Sequence, residues 1–332
     1  MRRRSMIQMT GALALLAGMG APGRARAGDV LKIATLAPKA SPWGQVLSVW
    51  EKAVKEKSGG RLEIQIFYNG LQGDEAATVA KMKSAQLVGA VVTAVGLSKI
   101  YTPILALQCP GLLSSWAKLD RARDAMKAEF EKGISDAGFQ IAGWGDVGSV
   151  RILSKGVAVR VPDDIKGKKP YLWRDDAIQP VFYQTVGGVT SVPLNVPEVL
   201  PQLNIGAINI VLAPSLAAEQ LQWASKLDTI QSGVQSYAIG ALVFSQKRLD
   251  ALPADLRQIL LDTAKVAANA LTTRIRNEDE AAYGRLKGKM TLIDCTADER
   301  ATWDALFKQV RSKLGQGTFA PELITKLEQL GQ

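Results

Sequence analysis

Residues 31–68 read LKIATLAPKASPWGQVLSVWEKAVKEKSGGRLEIQIFY. Leu31–Ala37 is a short apolar run of strand length. Ser41-Pro42 is a helix start, a hydroxyl cap followed by a residue whose fixed φ suits the first turn. The helix expected from it covers Trp43–Lys57, and Ser58-Gly59-Gly60 closes it. Arg61–Tyr68 then alternates, with Leu62, Ile64 and Ile66 on one face, which is strand spacing. Strand, helix and strand in this order point to a parallel pairing with the helix packed on the sheet.

The pattern continues outward. Asp74–Ala85 reads as a helix and Leu87–Val95 as a continuous apolar strand. Ala117–Ala137 is a charged amphipathic helix, followed by strand-like Phe139–Trp144. Further alternation runs from Arg151 to Trp223. The fold class is therefore α/β, with helices on both faces of mixed or parallel sheets. About 300 residues favour two lobes. The absence of a low-complexity linker means that several short crossovers join them. From Ala254 to Tyr283 there is no Gly or Pro. Leu256, Ile259, Leu260, Thr263, Val266, Ala267, Ala270 and Leu271 recur there at helical spacing. The segment is either one helix of roughly 45 Å, long enough to run along both lobes, or two helices broken near Asn277.

The N-terminus carries an export signal. Arg2, Arg3 and Arg4 precede an apolar run, Gly11–Gly20, and Ala25-Arg26-Ala27 is a small-x-small cleavage pattern. The run is too short to span a bilayer, which takes about 20 residues. Residues 1–27 are expected to be removed, leaving a periplasmic chain from Gly28; the route is general secretory or twin-arginine. The full chain carries 41 Lys+Arg against 31 Asp+Glu. Five of those arginines lie in the signal, so the mature chain is only mildly basic. No Arg/Lys stripe is interleaved with aromatics, and nucleic acid is not an expected partner.

The chain has no His. That removes Ser-His-Asp and Cys-His catalysis and most zinc sites. There is no G-x-S-x-G elbow, phosphate-binding Gly loop or Asp-rich calcium loop. Neither a cofactor nor catalysis is expected. Cys109 lies in an apolar run and reads as core, although an oxidising compartment leaves a Cys109–Cys295 disulfide open.

Several fragments, in order, carry a resemblance. They are Leu31–Pro38 with Ser41-Pro-Trp-Gly44, Ser58–Ile64, Leu71–Glu75 with Lys81-Met-Lys83, Val161-Pro-Asp-Asp-Ile-Lys-Gly167, Pro197–Leu200, Gly206-Ala-Ile208, Phe244–Lys247 and Leu252–Asp255. Together they resemble the solute-binding subunit of a TRAP (tripartite ATP-independent periplasmic) transporter, often labelled dicarboxylate-binding, over essentially the whole mature chain. The resemblance implies a two-lobed periplasmic solute-binding fold with a long bridging helix. Lobe I would be 28–148 plus 237–276, and lobe II 149–236 plus 277–332. It implies a small-molecule solute, an organic acid first, held between the lobes and passed to membrane-embedded permease subunits.

The resemblance also places an arginine clamp for the ligand carboxylate just after the "DLKG" element, where a planar fork of donors matches a carboxylate. Here that position is Tyr171. A second family arginine corresponds to Arg151, the expected anion contact, with a lobe-edge salt bridge as its plainer reading. Asn209 stands where an Asp is usual, and Ala213 about where an Asn meets ligand. Tyr171 and Trp173, on one face of a strand, with Trp144 and Trp223, suggest a wider and less ionic pocket. Trp173 as simple core is the plainer reading. Arg174, Asp175 and Asp176 read as a helix start or as pocket groups. The sequence leaves open an aromatic or branched organic acid, a neutral amphipathic ligand, a sensory solute-presenting protein and an exported carboxylate-dependent enzyme.

Overall fold

The structure is a computed structural model describing residues 29–332; the expected signal peptide, residues 1–27, lies outside the described residues. The first half follows the opening reading closely. It comprises β1 (Asp29–Thr35), α1 (Pro42–Lys57), β2 (Leu62–Phe67), α2 (Glu75–Lys83), β3 (Gly89–Thr93), α3 (Ala94–Ser98), α4 (Trp116–Asp136) and β4 (Phe139–Ser154). Ser41 caps α1, its Oγ accepting the Gly44 N–H at 3.2 Å. One face of α1 buries Val46, Leu47, Trp50 and Val54. The strands β1 and β2 pair in parallel, Leu31 opposite Ile64 and Ile33 opposite Ile66.

The second half comprises β5 (Tyr171–Trp173), α5 (Gln179–Val186), β6 (Val192–Leu194), α6 (Val196–Asn204), β7 (Ile210–Pro214), α7 (Ser215–Gln220), β8 (Thr229–Gln231), β9 (Ser236–Ser245), α8 (Gln246–Asp250), α9 (Ala254–Lys287), β10 (Thr291–Ile293), α10 (Ala297–Gly317) and α11 (Pro321–Leu330). No helix among the described residues is long and apolar enough to cross a membrane.

Strand order is β10-β8-β4-β9-β3-β1-β2, with β7 also on β4, and β5-β6 form a separate pair. The sheets of the two halves are thus continuous through β4 and β9. Those two strands pair antiparallel along almost their whole length, so the sheet is mixed. The ladder slips between Asp146 and Gly148, where Gly148 has φ 141°.

Three readings are refined. The apolar run Leu87–Val95 is not all strand: Thr93 ends β3 and caps α3, its Oγ1 accepting the Val95 N–H at 3.1 Å. The strand expected to end at Trp144 continues ten residues to Ser154, because β9 pairs with it as far as Val150 and β7 and β8 pair with the rest. The Ala254–Tyr283 segment is one unbroken helix of 34 residues, about 51 Å long. Leu256, Leu260, Ala264, Ala267 and Leu271 bury its first half. Ile275, Asp279, Ala282 and Leu286 bury its second. Asp279 fixes that second half, accepting the N–H groups of Ser149 at 2.8 Å and Leu216 at 2.9 Å. Cys109 and Cys295 are both free and buried.

Candidate functional site

A cavity of about 220 Å³ lies between the two halves of the sheet. Its walls come from both. The loop after β1, Trp43 of α1, Glu75 of α2 and the end of β3 form one side; Tyr171 and Trp173 of β5, Asp176, Phe182 of α5, Ala213 of β7 and Trp223 form the other; β4 and β9 form the floor. The volume exceeds the roughly 150 Å³ apolar cavity that accepts benzene.

Asp74 joins the two sides at the edge of the cavity. Its Oδ2 accepts Trp173 Nε1 at 3.1 Å and the Val196 N–H at 2.8 Å, while Oδ1 accepts the Glu75 N–H at 2.7 Å. Lys99 Nζ adds a second tie, donating to the Asp175 carbonyl at 2.6 Å. Burial pushes the Asp74 carboxyl upward, although its three donors oppose that.

Of the residues named from sequence, four line the cavity: Tyr171, Trp173, Ala213 and Trp223. The same-face reading of β5 holds. Tyr171 is 2% exposed, meets Trp223 edge-on at 5.9 Å between ring centroids, and its hydroxyl has no partner among the described residues. Burial raises that hydroxyl well above the usual tyrosine range, so it is a neutral phenol.

The other three are placed off the cavity wall. Arg151 is buried, with its Nη1 donating to the Ser232 carbonyl and its Cζ 3.7 Å from the centroid of the Tyr283 ring on α9. Its partners are thus a ring and a carbonyl, where the sequence suggests an anion contact or, more plainly, a lobe-edge salt bridge. Asn209 fastens the approach to β5, exchanging bonds with Lys169 at 3.1 Å in both directions. Trp144 points to α4, its Nε1 donating to Glu131 at 2.9 Å. In each case the side chain already has a partner away from the cavity.

Of the two carboxyl groups that set the polarity of the walls, sequence reasoning missed Glu75 and left Asp176 between two readings. Glu75 is 2% exposed; it accepts the Thr93 N–H, the Thr93 hydroxyl and the Gly96 N–H, each at 2.7 Å. Desolvation outweighs those donors and pushes its carboxyl up to about 8. Asp176 accepts the Ile178 N–H at 2.6 Å and the Gln179 N–H at 3.3 Å, and so turns the chain into α5. Its remaining surface opens into the cavity, and burial pushes its carboxyl up to about 6. Both expected readings of this segment thus apply to Asp176, helix start and pocket group. Arg174 instead faces outward, toward the Pro193 carbonyl and Glu198.

Asp146 lies in the floor, and its charge is already balanced. Arg123 Nη1 donates to it at 2.7 Å and Arg276 Nε at 2.6 Å. Arg276 also holds Asp120 through two bonds, at 2.8 and 2.6 Å. This buried network ties α4 and α9 to β4. Among the described residues lining the cavity there is no Lys or Arg, and no cluster of three or more metal-ligating side chains exists among the described residues.

Comparison with known proteins agrees with this architecture. The pattern of DctP, bacterial extracellular solute-binding protein family 7, matches residues 33–316. A solute-binding protein of Verminephrobacter eiseniae is 24% identical over 255 residues, covering 76% of this chain and 75% of the relative. A TRAP periplasmic solute-binding protein from Shewanella oneidensis, solved with bound succinate, superimposes with TM-score 0.85 at 16% identity, covering 92% of this chain and 100% of that one. One from Chromohalobacter salexigens, solved with bound D-glucuronate, gives TM-score 0.82 at 18% identity, covering 91% and 100%. The match over most of the chain, on a fold with a cavity between its two halves, places this protein in the bacterial extracellular solute-binding proteins of family 7.

Proposed function

We propose that the chain is the extracytoplasmic receptor of a TRAP-type transporter. It is exported, cleaved after Ala27, and captures a small solute in the cavity between lobes 28–148 plus 237–276 and 149–236 plus 277–332. It then delivers the solute to membrane-embedded permease subunits. The observation that carries this reading is the Asp74 clasp, in which one carboxylate of lobe I accepts two donors of lobe II beside the cavity. Such a contact exists only when the lobes are together. A solute touching both walls therefore shifts the population toward the closed form.

The enzyme reading requires paired carboxylates free to act in the cleft. Glu75 and Asp176 both line it, but their hydrogen bonds hold the turn into α3 and the start of α5. They serve as local structure in this reading, and no bond is made or broken.

The test is small-angle scattering on protein stripped of ligand by partial unfolding and refolding. Adding a small-molecule extract of native periplasm should reduce the radius of gyration. Asp74→Ala should need more extract for the same compaction, by about tenfold if the two bonds are together worth about 1.4 kcal/mol in the closed state. An unchanged radius in the wild type would contradict the reading.

A further inference from the structure

The walls of the cavity are unusual for a receptor whose structural neighbours hold carboxylates. The position where the resemblance expects the clamp arginine is Tyr171, and Arg151 is engaged by Tyr283 and the Ser232 carbonyl. The cavity-lining residues among those described include Glu75, Asp146 and Asp176 and no Lys or Arg. Asp146 is neutralised by Arg123 and Arg276 from behind the floor, which leaves no cation to spare for a guest. An anion entering here would lose its hydration and gain no opposite charge, while Asp176 faces it with a charge of the same sign.

Among the described side chains lining the cavity, two donors and one acceptor, Gln235 Oε1, remain without partners; Arg151 Nε is also unbonded but lies off the wall. The Tyr171 hydroxyl and Trp43 Nε1 are both buried and unbonded among the described residues, and both side chains line the cavity. A buried donor without a partner is destabilising, and an acceptor on a bound solute is the partner this cavity can supply. The rest of the wall is mostly aliphatic and aromatic, with Val91, Val147, Val150, Phe182, Leu212 and Leu221 among its members.

We infer that the solute is an uncharged, largely apolar molecule, larger than benzene, whose hydrogen-bond acceptor meets Tyr171 and Trp43. This rests on the receptor reading above and adds the class of solute to it. The pattern is that of small-molecule pockets in general, an apolar enclosure with few polar groups that fix orientation. Selectivity follows from the same residues. A carboxylate is rejected by the missing cation and by Asp176, and a solute without an acceptor leaves two donors unmet.

The experiment compares matched pairs, each a carboxylic acid and its primary amide: phenylacetate with phenylacetamide, 4-methylpentanoate with 4-methylpentanamide, succinate with succinamide. Binding is measured by calorimetry near neutral pH on ligand-stripped protein. The amides of the two apolar pairs should bind at least about tenfold more tightly than their acids. Tyr171→Phe, which removes one hydroxyl and keeps the ring, should weaken amide binding several-fold. It should also leave the ligand-free protein at least as stable, because a buried orphan is removed. An acid that binds as tightly as its amide would overturn the inference, and so would amide affinity unchanged by Tyr171→Phe. If neither apolar amide binds while periplasmic extract still compacts the protein, the solute class is wrong and the receptor reading stands. If the extract also leaves it open, the receptor reading itself fails.

Discussion

Glu75 shows how one side chain links burial to acidity. Its ordinary value is 4.5, and burial pushes it up to about 8 in the folded chain. A carboxyl raised on folding binds its proton more tightly in the folded than in the unfolded state. Stability is therefore greatest below the unfolded value and declines as pH rises toward the folded one. Asp176, raised to about 6, has the same sign over a lower window. Asp120, lowered by its hydrogen bonds from Arg276, acts in the opposite sense but only in strong acid. The thermal midpoint of ligand-free protein should thus be higher at about pH 5 than at about pH 8. Glu75→Gln should flatten most of that difference. A midpoint that rises with pH over this range would show the carboxyl to be ionised throughout. At this scale the sequence was informative where a local rule applied. Two-residue alternation put Tyr171 and Trp173 on one face, and the family resemblance placed Tyr171 where an arginine was expected. It could not show that Arg151 would turn to Tyr283, 132 positions away, nor that Glu75 and Asp176 would meet one cavity. Those facts depend on chain crossings and rotamers, which have no local signature.

The elements were easier to read where a single periodicity ran uninterrupted. The segment Ala254–Tyr283 had helical spacing throughout, and the only ambiguity was a break near Asn277. Burial of Ile275 and Asp279 on the same stripe keeps the helix intact across that point. The lengths of β4 and β9 were less legible, since glycines at 143, 145 and 148 interrupt the apolar run of β4. The structure gives the last of these a reason. A Cβ on Gly148 would lie 2.6 Å from Pro214 Cβ and 2.7 Å from Asp279 Oδ1, and its φ of 141° disfavours any side chain. Glycine there lets the slipped strand approach α9 closely enough for Asp279 to bond Ser149. Gly148→Ala should destabilise the protein by about 2–4 kcal/mol, from crowding and backbone strain together. Gly156→Ala is the control: its φ is also positive, but nothing lies within 4 Å of the added Cβ, so about 1 kcal/mol is expected from strain alone. Urea unfolding of both variants checks this, and equal shifts in midpoint would remove the close approach as the cause.

Across the whole molecule, two halves share one sheet, one long helix and a cavity whose two sides Asp74 joins. The α/β class follows from the alternation of elements that begins at Leu31, and the two-part layout from chain length. The chemistry of the cavity follows from neither, because its walls gather residues scattered between Thr35 and Leu271. The resemblance leads one to expect an arginine-held carboxylate, whereas Tyr171 occupies the expected clamp position and no Lys or Arg lines the cavity among the described residues. The contrast between a family frame and an interior that offers a guest no cation among the described residues is the central claim. The most direct measurement is high-resolution mass spectrometry of the small molecule that leaves the protein on denaturation, after purification from its native periplasm without refolding. The account predicts one molecule per chain, uncharged near neutral pH, largely hydrocarbon, with at least one carbonyl, ether or hydroxyl acceptor. Recovery of succinate, a uronate or another carboxylate in that stoichiometry would contradict it.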